Sequence, residues 1–133
     1  MNLVRVNDVP YNALEAFLHH NPHVDGTKLA GSGYAVLIGG KIEGCFVLEQ
    51  VESGCYWLKQ LYIAKQEAAK LPVLLESILV LAKEKEAKQV RVHSHQPVVD
   101  LLLEALQFCP QKGETYTQYV HQDEGSWWVY QVS

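Results

Sequence analysis

The strand pattern Leu58-Lys59-Gln60-Leu61-Tyr62-Ile63 runs, across the short segment Ala64-Lys65-Gln66-Glu67-Ala68-Ala69, into a helical pattern from Lys70 to Ala87. Leu71, Leu74, Leu75, Ile78, Leu79 and Ala82 recur there at helical spacing and form one apolar face. A strand that feeds so long an amphipathic helix commits the chain to a sheet with helices laid on it, because that face must be buried against another layer. The connecting segment contains no glycine. Backbone N–H groups and the helix dipole at such a junction suit an anion, and glycine lets the anion come close.

With 133 residues and 48% apolar content, the chain is expected to be a single domain spanning 1–133 with a substantial core. The formal charge of −4 and the scatter of the basic residues argue against nucleic acid as a partner. No apolar run approaches the roughly 20 residues that span a bilayer. The start Met1-Asn2-Leu3-Val4-Arg5 lacks a signal-peptide profile, so a cytoplasmic protein without a membrane partner is expected. Cys45, Cys55 and Cys109 lie in apolar surroundings without metal-type spacing and read as three buried, reduced thiols.

Leu3 to Val6 reads as a short strand. Asn7-Asp8-Val9-Pro10 then offers a capping side chain and a first-turn proline to a helix carrying Tyr11, Leu14, Phe17 and Leu18. Asn21-Pro22 ends that helix, and His23 to Ser32 reads as loop with at most one helical turn. A meander follows: Gly33–Gly39, a Gly39-Gly40 turn, Lys41–Gln50, a second turn at Val51–Gly54, and Cys55–Ile63. The charged run Lys83–Lys88 reads as the solvated end of the long helix. Gln89–His95 is a further strand. Pro97 opens a helix to Phe108 that is expected to be largely buried, since Asp100, Glu104 and Gln107 are its only polar stripe. Thr115–Val120 and Ser126–Val132 read as a closing hairpin. The fold class is α/β (α+β), with a mixed, mainly antiparallel sheet flanked by helices.

This order of elements resembles the GNAT superfamily of acyl-CoA N-acyltransferases over nearly the whole chain. The likeness is most specific in the hairpin Tyr34–Phe46 with Ile42-Glu43-Gly44, in Leu58–Ile63 as the family's fourth strand, and in Leu106-Gln107-Phe108, where the family usually has Leu-Gly-Phe. The resemblance implies a GNAT-like fold with acetyl-CoA as cofactor, its pantetheine arm paired with the backbone of Leu61, Tyr62 and Ile63. It places the pyrophosphate at the following helix start, here Ala69, Lys70 and Leu71, and puts Gln96 where the family often has Asn.

The chain also departs from that pattern. The family's Arg/Gln-x-x-Gly-x-Gly/Ala loop is missing, Glu67 adds a like charge, and Pro72 lacks an N–H. Leu103 stands where a tyrosine often protonates the leaving thiolate, and Trp57 or Lys59 stands where a carboxylate often serves as base.

His93 and His95 share one strand face and offer imidazoles that titrate near neutral pH, as a base or anion contact; as ordinary polar strand-end residues they would need no such role. Neither they nor His19 and His23 supply a metal set, and Ser32 and Ser94 lack a nucleophile-elbow context. Tyr62, Tyr116 and Tyr119 are the remaining proton-donor candidates, with strand packing as the plainer use of each. In Trp127-Trp128-Val129-Tyr130 one Trp is expected in the core and its neighbour outside, at a substrate pocket, at a homodimer interface or merely exposed. The resemblance therefore implies an N-acetyltransferase acting on a primary amine of a small molecule or protein. The alternative is a GNAT-like module that binds a protein partner or senses CoA without turnover.

Overall fold

A computed structural model describes residues 1–94, 97–111 and 126–132. The chain forms two compact units, Met1–Glu49 with Leu58–Leu74, and Gln50–Trp57 with Leu75–Ser133. Strands β3 (Lys41–Glu52) and β4 (Cys55–Ile63) and helix α3 (Leu71–Glu84) run from one unit into the other.

The first unit opens with β1 (Asn2–Arg5) and a 3-10 turn, Val6–Asp8. Helices α1 (Tyr11–His20) and α2 (Gly26–Ser32) and strand β2 (Gly33–Ile38) come next. β1 pairs antiparallel with β2, and β2 with β3. Gly39 and Gly40 turn the β2–β3 hairpin at φ 61° and 82°, the positive values a tight hairpin needs. Val6, Phe17, Val24, Leu29, Cys45 and Val47 form the core of this unit, and Leu14, Leu18, Ile42 and Tyr62 pack against it.

Two local expectations change here. No side chain caps α1; Pro10 occupies the cap position itself, and the backbone N–H groups of Ala13 and Leu14 reach its carbonyl. The segment expected to be loop contains α2, whose start is fixed by Asp25: its Oδ1 accepts from the N–H groups of Thr27 and Lys28 at 3.0 and 3.4 Å. The aspartate–glycine–threonine run is the signal for that helix, because a capping carboxylate satisfies N–H groups left free in the first turn.

The second unit contains β5 (Gln89–Ser94), α4 (Pro97–Ala105), β6 (Cys109–Gln111) and β7 (Ser126–Gln131). β7 pairs antiparallel with both β5 and β6. The full hydrogen-bonded order is β1-β2-β3-β4-β5-β7-β6, a seven-stranded, mostly antiparallel sheet. Strand β6 was not expected; it contains Pro110 and lies at the sheet edge, where proline is tolerated. Thr115–Val120 lies outside the described residues, so the expected hairpin is seen only in its second arm. α4 ends at Ala105 rather than Phe108 and is not largely buried: Leu103 is fully covered, whereas Leu101 is 70% exposed. Trp128 enters the core and its Nε1 donates to Asp100 at 2.9 Å, so part of the polar stripe serves an internal bond. Cys45 and Cys55 are buried as expected, but Cys109 is exposed on the edge strand.

Candidate active site

The distinctive feature of β4 is Gln60. Its φ of 50° breaks the extended backbone inside the strand, just before Leu61, Tyr62 and Ile63. A non-glycine residue in this region is strained by order 1–3 kcal/mol and persists only where its surroundings hold it. Here they do. The side-chain Oε1 accepts from the Asp25 N–H at 2.8 Å, and Nε2 donates to the Asp25 carbonyl at 3.2 Å. The Gln60 carbonyl also receives the Cys45 thiol at 3.7 Å. Burial pushes that thiol up to about 12 from an ordinary value near 9.0, so Cys45 is a packing group and not a nucleophile.

Beyond Gln60 the strand is pressed against β3. A Cβ on Gly44 would lie 2.5 Å from the Tyr62 carbonyl oxygen, so only glycine allows this approach. The Ala64 N–H then donates to the Glu43 carbonyl at 2.7 Å. Tyr62 turns its ring into the first unit, 6.0 Å from Phe17 and 4.8 Å from His23 between centroids. Phe17 and Tyr62 also line a groove of about 790 Å³ that reaches Val9, Ala13, Ile42 and Glu43.

The segment after β4 is a 3-10 turn, Lys65–Lys70, which leads straight into α3. The Glu67 N–H donates to the Ala64 carbonyl at 2.8 Å, and the Leu71 N–H to the Ala68 carbonyl. Glu67 and Lys70 form an ion pair at 2.7 Å, and Gln66 Nε2 donates to Glu43 at 3.1 Å. Ala69, Lys70 and Leu71 therefore do not fit a pyrophosphate cradle. The Leu71 N–H is engaged, the lysine is paired, Pro72 has no N–H, and two carboxylates stand nearby.

In the second unit His93 lies opposite Trp127 in the β5–β7 register, with ring centroids 5.0 Å apart. Trp127 also meets Trp57 at 5.3 Å, so the outer Trp is half-buried in an aromatic cluster. His95, Gln96, Tyr116 and Tyr119 lie outside the described residues. Leu103 has no solvent exposure. Among the described residues no group of three or more His, Cys, Asp or Glu could hold a metal, and no helix is long and apolar enough to cross a membrane.

The sequence names Tyr62 and His93 as candidates by their chemistry, whereas the contact of Gln60 with Asp25 is not legible in it. A polar residue within an otherwise strand-like run was the available hint of a break at Gln60. Nothing local in the sequence signals its partner at Asp25.

No protein-family model matches the chain, and no curated protein sequence does. Solved structures do. An acetyltransferase of the GNAT family from Staphylococcus aureus Mu50 superimposes with a TM-score of 0.74 at 13% identity, covering 99% of each chain. A Mycobacterium tuberculosis protein crystallised with CoA gives 0.76 at 9% identity, covering 100% of each. N-acetylglutamate synthase from Neisseria gonorrhoeae, complexed with CoA and N-acetyl-glutamate, gives 0.67 at 15%, covering 99% of this chain and 35% of that one. At these identities the likeness establishes the fold, which is that of the acyl-CoA N-acyltransferases.

Proposed function

We propose that the chain transfers an acetyl group from acetyl-CoA to a primary amine, carried by a small molecule or a protein. The observation that carries this reading is the held break at Gln60 in β4, immediately before the backbone of Leu61, Tyr62 and Ile63. A left-handed residue there shifts the strand as a bulge does, and in this reading the N–H groups that follow pair with the amides of a pantetheine arm and polarise a thioester carbonyl. CoA in solved structures of the same fold supports the choice of donor.

In this reading the amine nitrogen attacks the thioester carbonyl carbon, the C–N bond forms, and the C–S bond breaks. The proton lost by nitrogen offsets the thiolate that leaves. Tyr62, in the first unit, is one candidate for proton movement; His93, in the second, and His95, outside the described residues, are separate candidates. Taken by itself, the half-buried Trp57–Trp127–His93 cluster of the second unit offers aromatic faces that suit a cationic group. Much of the rate comes from holding amine and thioester together. We read residues 1–133 as one cytoplasmic domain; the end-to-end coverage of solved structures supports the single domain.

A second reading, a module that binds the donor or a protein partner without turnover, is favoured by Leu103, which puts a buried alkyl side chain where an acid is usual. Incubation with acetyl-CoA and an amine panel, followed by mass spectrometry, separates the two. The transferase yields an acetylated amine and free CoA; the module yields neither, whether it binds the donor or a protein partner.

A further inference from the structure

We infer that donor recognition in this chain ends at the pantetheine arm, so that the nucleotide half of CoA contributes little to binding and Glu67 is the group that excludes it. The inference rests on the acetyl-CoA reading above and adds which part of the donor is read.

A diphosphate needs free N–H donors, positive charge and room. At the junction of β4 and α3 each is reduced, with the exposed Lys65 as the remaining cation of the turn. The 3-10 turn engages the Glu67 and Leu71 N–H groups with the carbonyls of Ala64 and Ala68. Pro72, in the first turn of α3, supplies none. Cβ atoms at Ala64, Ala68 and Ala69 stand where glycines would let an anion approach. Lys70, the cation nearest the helix start, is held at 2.7 Å by Glu67, whose side chain is 20% exposed against 48% for the lysine. Glu43, tied to Gln66, adds a second carboxylate beside the turn. A phosphate arriving here must displace Glu67 from Lys70 and then lie against an unpaired carboxylate. The dipole at a helix start attracts an exposed anion only weakly, and here both carboxylates oppose it.

The pantetheine end meets different conditions. Its two amides and aliphatic chain need strand backbone and apolar surface, and neither the broken strand at Gln60 nor the half-buried Leu61 and Ile63 opposes them. The two halves of the donor are therefore judged separately.

The test is calorimetric titration of the whole chain with CoA, pantetheine and adenosine 3′,5′-bisphosphate, repeated with Glu67→Gln. The expected result is a Kd for pantetheine within about tenfold of that for CoA, a difference of at most about 1.4 kcal/mol, with no binding of the bisphosphate. In Glu67→Gln, CoA is expected to bind severalfold more tightly and pantetheine as before. CoA binding by more than that margin over pantetheine overturns this inference and leaves the acetyl-CoA reading standing, as does an unchanged CoA-to-pantetheine ratio in the variant. Failure of both CoA and pantetheine to bind overturns both.

Discussion

Gln60 and Asp25, 35 residues apart in sequence, exchange two hydrogen bonds between one side chain and one backbone. The pair links the break in β4 to the residue that caps α2, so one contact fixes both the strand and the entry to the helix. Gln60→Ala removes both bonds while keeping a Cβ at φ 50°. At about 0.5–1.5 kcal/mol for each bond, a loss of about 1–2 kcal/mol is expected for this exposed pair. Gln60→Gly loses the same bonds but relieves the left-handed backbone, and is expected to cost less than alanine. Urea unfolding of both variants measures the order; alanine at least as stable as glycine contradicts it.

Gly44→Ala forces a methyl to 2.5 Å from the Tyr62 carbonyl and 3.3 Å from the Ile63 Cα. Both are backbone atoms and neither yields alone, so β3 and β4 must part where the donor is expected to bind. The destabilisation expected from such overpacking is about 1–3 kcal/mol. A melting temperature within error of the parent's shows that the strands do not approach as described.

Gln107 sits at φ 73° just past α4, while the Phe108 N–H closes onto the Leu103 carbonyl at 2.9 Å. That is the geometry in which a helix end favours glycine. Gln107→Gly removes an exposed side chain in exchange for a relaxed backbone, and is expected to stabilise the protein by about 0.5–1 kcal/mol. Thermal unfolding checks the sign, and a lower melting temperature refutes it.

The thiols give a pH-dependent prediction. Burial raises the Cys45 thiol to about 12 and also raises Cys55, where the Arg91 charge partly opposes the effect. With the folded value above the unfolded one, this stability is fully present below about pH 9 and is lost as pH rises towards 12. Between those limits the unfolded chain releases protons that the folded chain keeps. Cys45 then contributes a fall of about 1.4 kcal/mol per pH unit. Cys45→Ala should flatten the fall, leaving the smaller part due to Cys55. In the native protein at neutral pH, Cys109 should react with a thiol reagent well before the two buried cysteines. Stability that does not fall between pH 9 and 11 contradicts the assignment.

Much of this fold is legible in the residues. Alternating and apolar runs bounded by Gly39-Gly40 and Gly54 give the meander, and β4 falls at Cys55–Ile63 as the pattern predicts. Periodicity gives the body of α3, yet it does not separate the preceding 3-10 turn, because Lys65–Lys70 has helix-forming residues in a tighter hydrogen-bond pattern. α2 escapes notice because its apolar content is small, and the Asp25 cap has to be read instead. The site is less legible than the fold. Tyr62 and His93 announce themselves by chemistry, but the clasp between Gln60 and Asp25 depends on tertiary contact. So does the pairing that closes Lys70: spacing alone puts Glu67 within reach, and only the turned backbone brings them together.

Acetyl-CoA binding tests the central claim most directly. A calorimetric titration of the intact chain, paired with a melting curve at millimolar ligand, should give saturable binding and a raised melting temperature, because a ligand held only by the native state must stabilise it. No heat of binding and an unmoved melting temperature at millimolar acetyl-CoA would contradict the account.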